Sequence, residues 1–327
     1  MSLANLIVGQ AGSLSVGERF VQTLAKGLAM GSLYALVALG FVLIFKATQT
    51  VNFAQGAIAL IGAWFASLLL IDWEIPGRWL GDNKYVTWFS AVVLAALMTA
   101  VLGLVLERAV IRKMIGEPLF SIAVITLGLE AVLRTIGFDA VNLNTRSLAI
   151  PWGFDGFKVG DAFIAWSFVA SWGAAAVAFV AVYFFFRSKL GIAMRAVAFD
   201  QEAALAQGIS VGKVFAVAWG ASAALAAIAG IFGSMAPIGT GAAAAGITGL
   251  AFRALPAVIL GGLDSVIGAL VGGLIIGGAE VFAGEYLASY TTTLGTGYPL
   301  IVPYIIMLIV LLVRPYGLFG TPEIRRV

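Results

Sequence analysis

Charged residues cut this chain into long apolar runs, and those runs predict its architecture. Gly27–Phe45 lies between Lys26 and Lys46; Ala47–Ile71, Tyr85–Leu106, 119–138, Ala162–Phe186, Val214–Pro237, Val266–Ala279 and Tyr298–Val313 follow. An α-helix needs about 20 mostly apolar residues to cross the hydrocarbon core. The pattern therefore predicts an all-α polytopic transmembrane helix bundle with eight clear spans. One further piece, Ala254–Gly262, is too short to cross and predicts a short or re-entrant half-helix. Counting it and its surroundings allows up to about ten elements.

The polar interruptions orient the bundle. Segments 107–117, 187–213 and the tail from Arg314 lean positive, whereas 72–84, 139–161 and 280–285 lean acidic and carry several Trp, Tyr and Pro. Basic loops stay in the cytoplasm. The C-terminus is therefore expected inside and the acidic segments outside, with the orientation of the N-terminus left open. The chain divides into an N-terminal segment (1–19), a transmembrane domain (20–313) and a cytoplasmic tail (314–327). Residues 1–20 lack a basic start and a clear cleavage site, so they are read as part of the mature chain.

Composition agrees. The chain is 61% hydrophobic and 11% charged, against about 25% charged in a soluble domain. It has no Cys and no His, which removes disulfides, thiolate chemistry, imidazole bases and the commonest metal ligands. No phosphate-binding G-x-x-x-x-G-K-[ST] loop occurs, and the carboxylates are scattered. An enzyme, a cofactor, a metal and a nucleic-acid partner are all unexpected. Glycines such as Gly268, Gly272, Gly273, Gly277 and Gly278 fit close helix packing in lipid. Val51–Trp64 and Leu263–Ile276 echo each other, each placing polar residues before a small-residue-rich apolar run, so an internal duplication is possible.

Four polar features are candidates for function. Thr48, Gln49, Thr50, Asn52, Gln55 and Gly56 interrupt the second run. They are either a broken helix on a translocation path or a cytoplasmic turn before a helix that starts at Phe53. Glu130 and Arg134, four apart, form either a structural pair or a gate. Arg253 and Asp264 flank the short piece and either line the path or orient a hairpin at the interface. The fourth feature is Arg187–Lys213, the longest polar interruption in the second half. Asp200 can cap a short helix over 201–207, with Glu202 in its first turn, Gly208 in a left-handed turn and Ile209 following. Ser210 can cap the next span. Ala203, Ala204 and Ala206 leave a small surface that a partner can approach. An ordinary capped loop is the alternative.

Within that segment, Arg195, Ala196, Ala198, Asp200, Ala204, Gly208 and Ile209 form a pattern that resembles the coupling loop of ABC importer permeases. The resemblance is greatest to the branched-chain amino acid family, and to the first of its two permease subunits. Gly31–Leu36 with Val51–Gly56, Ala254–Gly273 and Arg314–Gly320 resemble other signatures of that family, in family order. The resemblance implies a second permease subunit, identical or not, cytoplasmic ATPase subunits and an outer substrate-binding protein, in a plasma or inner membrane. It implies that Arg195, Asp200, Glu202, Ala203, Gly208 and Ile209 meet the ATPase. Many relatives carry His-Gly-Glu where this chain has Gln55-Gly56-Ala57. Urea or short-amide import therefore stands beside amino acid import, with a stand-alone channel or secondary transporter as the rival of another class.

Overall fold

A computed structural model describes residues 14–81, 83–141, 148, 150–235, 238 and 244–321. Expectations for residues 1–13, Pro237, Glu323, Arg325 and Arg326 lie outside this set. The bundle is built around α1 (Val16–Thr48), a helix of 33 residues, about 50 Å long. A capping box starts it: Ser15 accepts from the Glu18 backbone and Glu18 accepts from that of Ser15. The middle of α1 is buried on every side, because its residues are apolar or small all round and other helices surround it.

Next come α2 (Gln55–Ser67), continued by a π-helical turn to Asp72, then α3 (Lys84–Ala109) and α4 (Leu119–Val141). A two-stranded antiparallel hairpin, β1 (Gly156–Val159) and β2 (Ala162–Ala165), leads into α5 (Trp166–Arg187). Two short helices, α6 (Lys189–Phe199) and α7 (Gln201–Ala206), precede α8 (Val211–Gly233). The remainder is α9 (Ala244–Gly261), α10 (Val266–Tyr286) and α11 (Tyr298–Val313). Among the described residues, seven helices are long and apolar enough to cross a membrane, or eight if a pair bent by 86° that ends in α11 is counted as one span. The polytopic helical bundle stands as the run pattern predicts, with seven or eight candidate spans where the pattern gives eight.

Boundaries differ where charge alone was used to draw them. The break between the first two runs falls at 49–54, and α2 starts at Gln55, not Phe53. Residues 162–165 are strand, so the fifth crossing starts at Trp166. The short piece is the C-terminal half of α9, an 18-residue helix that carries Arg253 inside it. Glu280 likewise lies within α10 rather than in an acidic outer loop. A charged side chain does not end a helix when another helix supplies its partner.

The molecule has two distinct ends. At one, the tail Arg314–Thr321 folds under the α9–α10 turn: Leu318 and Phe319 donate to the Leu260 and Gly261 carbonyls, and Thr321 bonds Asp264. Lys46 is within electrostatic reach of Asp264 and Arg195 there, which makes this the basic end. At the other, Glu18 accepts from the Asp161 backbone, Arg19 pairs with Glu285 at 3.0 Å, and Trp152 packs on Trp88. α1 therefore starts opposite the tail. α9, shorter than the candidate spans, returns the chain to the basic end and α10 leaves it again, which puts the start of α11 opposite the tail.

Close backbone approach holds α10 to α1. A side chain at Gly277 would run into the Gly31 backbone, and one at Gly273 into Ala35. The predicted glycine surface is thus a helix contact.

Candidate functional site

The α1–α9–α10 junction also encloses a charged cluster. Tyr34 on α1 donates its hydroxyl to Glu280 Oε2 on α10, and both residues are buried. Arg253 Nη1 on α9 lies 3.9 Å from Glu280 Oε1. Tyr304 on α11 donates to the Phe252 carbonyl at 3.0 Å and stands within electrostatic reach of Arg253 and Glu280. At 1.5 Å rise per residue, Glu280 lies about 21 Å along α10 from Val266 and about 9 Å from Tyr286. Gly268 packs against Gly261 and Gly272 against Ala257. Continued one turn at a time, that register sets the Arg253 backbone level with Ile276, so its side chain reaches away from the basic end toward Glu280. The sequence reading had marked Arg253 but neither Tyr34 nor Glu280. A glutamate one residue past an apolar run looks like a loop charge unless the neighbouring helix is known.

The polar residues of the second run are tied into a separate network. Thr48 and Thr50 hydroxyls meet at 2.7 Å, and Asn52 Nδ2 donates to Gln55 Oε1 at 3.2 Å. Gln55 Nε2 donates to the Ser222 carbonyl, and Ser222 Oγ bonds both Gln55 Oε1 and the Gly40 carbonyl. Gly56 lies against the Thr248 carbonyl with no room for a side chain. The segment is a turn, as one reading had it, yet buried, as the other required. Its amides join α1, α2 and α8.

Glu130 and Arg134 pair at 3.4 Å on α4. Glu130 is buried, but Arg134 keeps 49% of its side chain exposed. Asp264 stands at the basic end, bonded to Thr321.

The 187–213 segment forms a helix–turn–helix unit at the basic end. Asp200 accepts from the Ala203 backbone at 2.9 Å and caps α7. Gly208 has φ of +80°, and the Ile209 amide reaches back to the Ala204 carbonyl. This is the predicted glycine-terminated helix. Ser210 stands at the start of α8 without a side-chain capping bond. The additional helix α6 carries Arg195 and buries Met194 and Val197. Arg195, Glu202, Ala203 and Gly208 are exposed. Phe199, which the sequence reading passed over, is 94% exposed. Behind the unit, Arg112 forms a two-pronged pair with buried Glu107 and donates to the Gly212 carbonyl at 3.1 Å. That clasp ties the end of α3 to the start of α8.

A groove of about 720 Å³ opens between α1, α3, α5 and α8, lined by residues such as Leu43, Phe89, Val177, Phe185 and Leu225. Its lining offers no charge or hydrogen-bonding side chain, so a polar solute would find no match there. Among the described residues no acidic group of three or more has metal-holding geometry.

A helical bundle of this length with a charged cluster inside and a helical unit projecting from its basic end defines a polytopic membrane protein with an internal polar site. The chain belongs to the branched-chain amino acid transport system permease component family, whose model matches residues 23–311. It is 29% identical to the high-affinity branched-chain amino acid transport system permease protein LivH of Salmonella typhimurium, over 94% of this chain and 98% of that protein. It is 30% identical to the corresponding BraD of Pseudomonas aeruginosa, over 94% and 98%. It is also 30% identical to a probable branched-chain amino acid transport permease protein LivH of Methanocaldococcus jannaschii, over 93% of each chain. No solved structure matches it.

Proposed function

We propose that this chain forms the translocation path of an ATP-driven importer for branched-chain or other hydrophobic amino acids, and that α6–α7 is where a separate ATPase drives it. A second permease subunit completes the path, and an outer binding protein delivers the solute. The observation that carries the coupling role is Phe199, 94% exposed between two short capped helices at the basic end. A large apolar side chain thrust into water beside small alanines is what a partner's pocket takes up. Force on this unit has two rigid routes inward. One runs through buried Met194 and Val197 beneath α6, the other through the Arg112 clasp on Gly212. Such a push moves helices as bodies rather than deforming them. The names of the relatives support the amino acid assignment.

The test is a double replacement, Ala203→Trp with Gly208→Trp, in the assembled transporter. It should abolish ATP-driven leucine uptake while the chain still inserts in the membrane. Uptake at the normal rate would end the coupling proposal. Solute movement by the chain reconstituted with no ATPase would favour a channel or secondary transporter instead.

A further inference from the structure

The Tyr34–Glu280–Arg253 cluster is too deep and too charged to be filler. It lies about 9 Å along α10 from the end opposite the coupling unit. The Arg253 side chain is 27% exposed, while that of Glu280 is 9% exposed. An arginine open at this depth cannot face lipid cheaply, and its side chain reaches away from the basic end where it could have snorkelled. It therefore opens onto a water-filled path or a protein surface.

The pairing is incomplete. Arg253 and Glu280 are 3.9 Å apart, beyond hydrogen-bond distance, whereas Tyr34 holds the other Glu280 oxygen firmly. A guanidinium presents five N–H donors in a planar fork that fits a carboxylate. Glu280 Oε1, turned toward Arg253, suits an ammonium group. An α-amino acid carries those two complementary charges on one carbon. Once α9 and α10 part and the 3.9 Å pair opens, it can bridge the two with its carboxylate on Arg253 and its ammonium on Glu280, leaving the net charge of the site unchanged. Neutral urea or an amide cannot replace both contacts. Phe252, exposed and next to Arg253 in the chain, and the ring of Tyr304, bonded to the Phe252 carbonyl, supply an apolar wall for an aliphatic side chain.

We propose that Arg253 and Glu280, with Tyr34 holding Glu280 in place, form a zwitterion-binding site for the α-amino and α-carboxyl groups of an amino acid in transit. The proposal rests on the transport reading above and names the residues that would read the solute's backbone charges.

The experiment uses the complete transporter in vesicles with its ATPase and binding protein, and labelled leucine as probe. In the double variant Arg253→Gln, Glu280→Gln both charges vanish together, so no uncompensated charge is left to unfold the bundle. Leucine uptake per assembled complex should fall at least about tenfold, the scale of one lost charge-assisted hydrogen bond. A merely structural ion pair predicts near-normal uptake instead, and that result would overturn the zwitterion site while leaving the transport reading intact. If the double variant does not assemble, Arg253→Lys decides. It keeps the charge and loses the fork, so uptake should again drop by about tenfold, and unchanged uptake would overturn the site. Wild-type vesicles that import a neutral amide but no amino acid would refute both the amino acid reading and the site.

Discussion

Among the described residues, two ion pairs stand more than a turn from the ends of the membrane-spanning helices, and they are built on opposite plans. Glu130 and Arg134 are neighbours on one helix, one turn apart, with Arg134 half in the open. Arg253 and Glu280 come from two helices and are backed by Tyr34 from a third. The local pair can form whenever α4 forms, since i,i+4 spacing alone brings the side chains together. The other pair exists only after α1, α9 and α10 have packed. A pair of the first kind decorates a helix; a pair of the second kind reports on how helices are arranged, and so can be linked to a transport cycle.

That contrast can be broken by measurement. Glu280→Ala should be the most damaging single change. It strands Arg253 at membrane depth and should lower unfolding stability in detergent by about 2–4 kcal/mol, somewhat under the fully buried case because the guanidinium is partly open. Equal stability to the unmodified chain would mean Arg253 is already satisfied by water or a partner. Tyr34→Phe should cost less, about 1–3 kcal/mol, since it removes one hydrogen bond to a charged group and leaves the ring packed. The same melt would show it. Glu130→Gln should shift stability by no more than about 1 kcal/mol, because the pair is local and Arg134 is half exposed. A loss as large as that of Glu280→Ala would erase the distinction and make the α4 pair part of the transport machinery.

Much of the 187–213 unit is legible in the sequence. Asp200, the alanines, Gly208 and Ile209 act through backbone rules that work over a few residues, and the helix and its left-handed stop form where those rules place them. The length of α6 and the exposure of Phe199 were not legible, since exposure depends on what the rest of the bundle leaves uncovered. At 49–54 the sequence leaves two readings open because a turn and a buried polar break use the same residues. Packing of Gln55 against Ser222 and Gly40 makes that segment both.

Apolar run length was enough to establish a polytopic helical bundle and where most of its spans lie, because the hydrophobic requirement for crossing lipid is a property of each segment alone. Short-range backbone chemistry was likewise enough for the Asp200 cap and the Gly208 stop. Where α9 begins, that Glu280 is inside a helix, and that it meets Arg253 and Tyr34 depended on the packing of distant segments. The free energy of burying a charge is set by the partner across the interface, and for Arg253 and Glu280 that partner lies on a different helix.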